Sequence, residues 1–266
     1  MRRGELFWGG LLVLLGLLFF LQTAGYLTGD VFGWFWPFVI IAVGIWVLLG
    51  GFVARVDFSR AEKFSVPLQS AKEAHLELNH GAGQIEISAG ASAGDFLTGV
   101  AGVAMNCSSH LAGDKLEVKI DAGPSFMPFI GPEGGVWQFR LDPNLPISLD
   151  IDAGASRLNL DLHDLQVRYL SFEGGASRII LTLPACIENM VADLEAGAAG
   201  IELNVPPGVG LRLRLKSVGT VRIDESRFVP REGGMYQSVD YDAAKYRAEI
   251  NIEGGATSIL VNQEPA

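Results

Sequence analysis

Cysteine is almost missing from this 266-residue sequence: Cys107 and Cys186 are the two present, too few and too far apart for a disulfide framework. Both stand in apolar surroundings and are expected to be buried thiols. Histidine is scarce as well, and His75, His80, His110 and His163 lack the His-Glu-x-x-His helix or close His/Cys spacing of a zinc site. There is no Gly-x-Ser-x-Gly elbow and no pair of residues spaced for acid and base roles. Cys107 and His110, three residues apart, offer a weaker enzymatic alternative, because Asn106, Ser108 and Ser109 around them read as a polar turn. Neither metal nor cofactor is expected. Basic residues are outnumbered, 20 against 30 acidic, for a formal charge of −10. Arg2 and Arg3 offset Glu5 and Asp30, so all of that charge belongs to the chain beyond residue 54. Such a surface disfavours nucleic acid and anionic lipid as direct ligands.

Apolar residues are plentiful, at 49%, and mean hydropathy is +0.29. Residues 6–27 are nearly free of polar side chains and 31–54 equally so, each about long enough to cross a bilayer as a helix. Arg2 and Arg3 would suit a signal peptide, but a second apolar span follows at once and no cleavage pattern fits between them. Residues 1–54 are therefore expected to form a two-helix transmembrane hairpin that contacts lipid through 6–54. Arg2, Arg3, Arg55, Arg60 and Lys63 flank it, whereas the connection from Thr28 to Asp30 has no base. The positive-inside bias then places both ends, and the domain that follows, in the cytoplasm. Residues 55–66 read as a short polar linker.

From residue 67 to 263 one phrase recurs. ISLDIDAGASRLNLDL at 147–162 alternates apolar and polar residues, breaks at Gly-Ala-Ser, and alternates again. It returns at 168–184, 190–207, more loosely at 211–225, and last at 246–261, with an earlier copy at 74–88. Gly154, Gly175, Gly197 and Gly219 fall 21, 22 and 22 residues apart. A constant period near 22 predicts an all-β, single-stranded β-solenoid-like domain, in which each coil gains a core only when the next covers it. Gly154, Gly175 and Gly197 should form a column of equivalent corners, with Leu and Ile inward and Asp150 and Asn159 outward. A flat antiparallel sandwich is the alternative.

The glycine breaks are not phosphate loops, since a strand rather than a helix follows each. Glycine there supplies positive φ or admits close backbone contact. Asp150, Asp152, Asp161 and Asp164 have no calcium-loop spacing and read as a solvated face. Two segments are candidate protein interfaces. The Gly/Pro-rich loop at 122–135 carries Phe126 and Phe129, which either tuck onto the solenoid or touch membrane or partner. An insertion at 227–246, bringing Tyr236, Tyr241 and Tyr246, either caps the open end or binds a protein.

The N-terminal LFWGGLLVLLGLLFFLQTAG and WPFVIIAVGIWVLL resemble the two-helix module of bacterial LiaF-like cell-envelope response proteins. HLELNHGAGQIEIS, ISLDIDAGASRLNLDL, SFEGGASRIILTLP and INIEGGATSILV resemble their toast-rack and adhesin-like β domains. The resemblance implies a bacterial membrane protein whose β domain modulates a membrane histidine kinase during envelope stress. A non-enzymatic interaction or regulatory protein is the expectation; a structural scaffold or subunit of a membrane assembly, including a homo-oligomer, is the alternative.

Overall fold

Alternating apolar and polar residues build strands throughout the residues described by the computed structural model, 62–101, 105–122 and 136–263. All lie in the second of the chain's two units, Met1–Arg55 and Val56–Ala266. The expected two-helix hairpin, and the loop carrying Phe126 and Phe129, lie outside the described residues. Among the described residues no helix is long and apolar enough to cross a membrane.

Five long strands make the body: β2 (Glu73–Ala89), β7 (Ile147–Asp161), β8 (Val167–Thr182), β9 (Asn189–Val205) and β14 (Tyr246–Gln263). They pair parallel in that spatial order, residue upon residue, through the glycine breaks. Each phrase expected to be strand, break, strand is thus a single bent strand. In β7, Ile147, Leu149, Ile151 and Ala153 are buried, Gly154 and Ala155 are exposed, and Ser156, Leu158 and Leu160 are buried again. Two consecutive outward residues flip the phase of alternation, so both halves face one interior. Straight, β7 would span about 50 Å, yet residues 162–166 must return the chain to the start of β8 across no more than about 20 Å. The strand therefore folds at the glycine into two legs, and the short return, with Leu162 and Leu165 buried, closes a third side. Each inward Leu, Ile or Phe contributes about 1.5–3 kcal/mol by leaving water, which only stacked coils can provide.

The corner is a glycine column. Register aligns Gly81, Gly154, Gly175, Gly197 and Gly255, and a Cβ on each of the last four would meet the carbonyl oxygen of the glycine before it. None of the five has positive φ. Close backbone contact, not left-handed conformation, selects glycine here.

Gly219 is not in that column, and the last copy does not close the stack. β10 (Val209–Lys216) and β11 (Thr220–Arg222) both pair with β14, which lies between them and β9. The reason is local: 211–225 breaks at Ser217, whose φ is 57°, into two short strands, while β14 keeps a complete Gly-Gly-Ala corner that matches β9 along its length. The insertion forms the hairpin β12 (Phe228–Arg231) and β13 (Met235–Ser238), which pairs antiparallel with β10. At the other end the first leg continues through β5 (Lys115–Ala122) to β4 (Met105–Ala112), and the second through β6 (Val136–Leu141) and β3 (Asp95–Ala101) to β1 (Glu62–Pro67). Residues 62–66, expected as linker, are thus strand β1, where Val66 is buried and Phe64 meets Phe139 edge-on at 5.9 Å.

Candidate interaction surface

In-register stacking turns every outward position into a column of side chains about 4.8 Å apart. On the first leg one column runs Ser148, Tyr169, Val191, Glu249, Arg212, and the next runs Asp150, Ser171, Asp193, Asn251. A third runs Asp152, Glu173, Glu195, Glu253 and ends at Lys216. Like charges stacked this closely repel, and the surface answers with cross-strand bonds. Asn251 donates to Asp193 at 2.7 Å and the Tyr169 hydroxyl to Asp193 at 3.1 Å, while Lys216 bonds Glu253 at 2.8 Å and Arg212 bonds Glu249 at 2.6 Å. At the opposite end the hydrogen bond from Lys119, at 2.6 Å, holds the Glu77 carboxyl below its ordinary range, with Asn79 adding to the effect. Burial, then the bond to Asp193, pushes the Tyr169 phenol up.

Tyr169 and Val191 are neighbours in one column and 37% and 39% exposed, an apolar spot in a polar field. Sequence reading passed over this pair, although its signal is simple: Leu170 and Phe172 set the inward phase of β8, which leaves Tyr169 outward. Two shallow depressions accompany the columns. One, of about 390 Å³, follows the corner past Glu173, Glu195, Glu253 and Ser217; the other, of about 490 Å³, lies over Lys63, Thr98, Gln138 and Arg140. Neither is enclosed. Among the described residues no group of acidic, histidine or cysteine side chains is placed to hold a metal ion.

The tyrosines of the insertion sit differently from expectation. Tyr241 is only 5% exposed: its ring lies under the Arg212 guanidinium at 4.2 Å and its hydroxyl donates to Glu249 at 2.8 Å. Burial, then that bond, pushes its phenol up to about 12. It is a packing residue, because residues 239–244 turn back over β10, where its backbone crowds Gly210. Tyr236 and Tyr246 are half-buried against the core, Tyr246 beneath the Lys245 ammonium at 4.9 Å. The three do not form one exposed patch. The segment caps β10, and Ser238 completes the cap by accepting a hydrogen bond from the Leu211 amide at 3.1 Å.

Both cysteines are exposed, contrary to the expectation of buried thiols. Cys107 lies on β4, a strand where a polar turn was expected, and among the described residues β4 is an edge strand paired with β5 alone. Cys186 lies in the return after β8, its thiol directed to the Leu165 carbonyl at 3.2 Å. Burial of part of each side chain pushes both thiols up, with Asp164 adding to the effect at Cys186. On a strand, residues three apart point to opposite faces, so Cys107 and His110 do not form a reacting pair.

A family model described as the N-terminal domain of toast_rack, DUF2154, matches residues 55–204. No curated protein matches the chain. Among solved structures, a candidate cell adhesion protein from Clostridium sporogenes superposes with a TM-score of 0.70 at 20% identity, over 77% of this chain and 99% of its own. A candidate adhesin from Bacteroides fragilis gives 0.27 at 10% identity, over 76% and 96%. The first likeness establishes a shared fold. With more than half its length matched by one family model, the chain belongs to the toast_rack N-terminal domain family.

Proposed function

We propose that this protein is a membrane-anchored, non-enzymatic interaction module whose stacked β domain binds a membrane-resident protein partner. The observation that carries the reading is the outer face of the first leg, where a rigid register presents Tyr169 and Val191 within columns of Asp, Glu and Asn. Such a face offers an apolar anchor with a polar rim, the usual anatomy of a protein interface. It offers no enclosed cleft of the kind that shelters chemistry. The apolar spans at 6–27 and 31–54 and their flanking bases support a two-helix anchor with a cytoplasmic β domain. The resemblance to LiaF-like proteins favours regulation of an envelope-stress histidine kinase as the specific form. A scaffold role is the second reading, favoured by the purely structural use of the insertion as a cap.

The test is crosslinking in native membranes with identification of the adduct, comparing the intact chain with a Tyr169→Ser, Val191→Ser double variant. Recovery of a membrane protein by the intact chain and its loss in the variant is expected. Equal recovery by both removes this face from the proposal, and a reporter fused after residue 263 that reads as extracytoplasmic removes the cytoplasmic placement.

A further inference from the structure

Among the described residues the sheet ends in four edge strands, and three of them are guarded. β1 carries Lys63 and Pro67, β12 carries Pro230 and Arg231, and β11 is three residues long with Arg222 exposed. Charge, proline and shortness are the usual means of keeping an edge from pairing with another chain. β4 has none of them. Its eight residues, Met-Asn-Cys-Ser-Ser-His-Leu-Ala, contain no Lys, Arg, Asp, Glu or Pro, and residues 106–110 are all exposed. Among the described residues its one partner is β5, so a full row of backbone donors and acceptors faces outward.

The composition of β4 favours a particular occupant. Met105, Cys107, Ser109 and Leu111 share the inward face, opposite Ala122 and the buried Ile120, Val118 and Leu116 of β5; Asn106, Ser108 and His110 face outward. Met105 and Leu111 are partly buried against the core and stand equally far from Ser108. We propose that β4 pairs antiparallel with β4 of a second copy of this chain about a two-fold axis at Ser108. A two-fold axis perpendicular to a sheet keeps each side chain on its own face, so residues equidistant from Ser108 meet. Met105 then lies opposite Leu111 of the second copy, extending the apolar interior, Asn106 lies opposite His110, Cys107 opposite Ser109, and Ser108 opposite itself. Polar meets polar and apolar meets apolar along the whole strand. The charges nearest the axis, Lys119 in each copy, are three strand spacings apart, about 14 Å, and lie beyond the screening length of about 8 Å at physiological salt. The net charge of −10 therefore does not oppose the contact locally. This inference does not depend on the membrane reading or on a kinase partner.

The experiment uses the full-length chain in mild detergent with Cys107→Ser and Cys186→Ser, to which Ser108→Cys or, as a control in an exposed turn, Glu225→Cys is added. Opposed residues in an antiparallel pair have Cα atoms about 4.5–5.5 Å apart, within disulfide range. Mild oxidation is expected to convert Ser108→Cys to a covalent dimer and leave Glu225→Cys monomeric. Independently, Ser108→Lys sets two ammonium groups against each other and is expected to abolish the dimer in sedimentation while far-UV circular dichroism stays unchanged. Crosslinking at 108 no stronger than at 225, or a dimer that survives Ser108→Lys, overturns the proposal. So does an unmodified chain that sediments as a monomer.

Discussion

Gly154 lies directly against Gly81: a Cβ on Gly154 would stand 2.6 Å from the Gly81 carbonyl oxygen. That approach recurs up the column, at 2.8 Å for Gly175 on Gly154 and 3.1 Å for Gly197 on Gly175. The neighbouring atom is backbone and cannot swing aside. Gly154→Ala is expected to cost about 1–3 kcal/mol, the usual range for overpacking. Among the described residues Gly81 stands at the foot of the column, and an added methyl there would meet nothing within 4 Å, so Gly81→Ala should be nearly neutral. Thermal unfolding of the two variants checks this, and equal losses would mean that the corner glycines are chosen for another reason.

Exposure of Cys107 and Cys186 in the single chain predicts that a maleimide modifies both thiols without denaturant, Cys186 in the unchanged protein and Cys107 in the Ser108→Lys variant, whose β4 edge is kept from pairing. Because partial burial pushes both thiols up, the rates should climb as pH rises above neutrality rather than level off there. A requirement for denaturant at either site would contradict its placement.

Tyr241 links stability to alkaline pH. In the unfolded chain a phenol loses its proton near pH 10, whereas the folded Tyr241 holds it to about 12. Between those values the unfolded state binds fewer protons than the native one, so stability is fully present below pH 10 and falls as pH rises through 12. The group contributes up to about 3 kcal/mol to that fall. Denaturant midpoints measured from pH 9 to 12 should decline less steeply for Tyr241→Phe than for the unchanged chain, and parallel declines would rule the residue out as the source.

The period and the alternation were enough to read the coil. Leu149, Leu160, Leu170 and Leu181 are inward, Asn159 is outward, and Gly154, Gly175 and Gly197 align as the spacing predicts. What the spacing does not encode is which copy lies beside which. A 22-residue phrase fits any neighbour with a matching corner, and only the break at Ser217 hints that 211–225 makes a poor interior coil. The tyrosines of the insertion misled because aromatic residues in a loop look the same whether they cap a core or await a partner. Tyr241 took a buried place over Gly210. Strands β3 and β4 escaped notice because small residues such as Gly99, Ser108 and Ser109 carry little strand preference of their own. At Gly99 the space is taken by the Phe64 and Phe139 rings, a long-range fact invisible locally.

Every outward column, and with it the face proposed to bind, depends on residue-on-residue stacking with β14 inserted between β9 and β10. Paired cysteines in a Cys107→Ser, Cys186→Ser chain measure that threading. Glu195 is in register with Glu253, and Glu253 with Lys216, so Glu195 and Lys216 are two strand spacings apart, about 10 Å. A disulfide cannot bridge Cα atoms much beyond about 7 Å. Oxidation is therefore predicted to join Glu195→Cys to Glu253→Cys, and Lys216→Cys to Glu253→Cys, but not Glu195→Cys to Lys216→Cys, as read from linked peptides by mass spectrometry. A bond between positions 195 and 216, with none between 195 and 253, would mean that the copies stack in sequence order and would contradict the account.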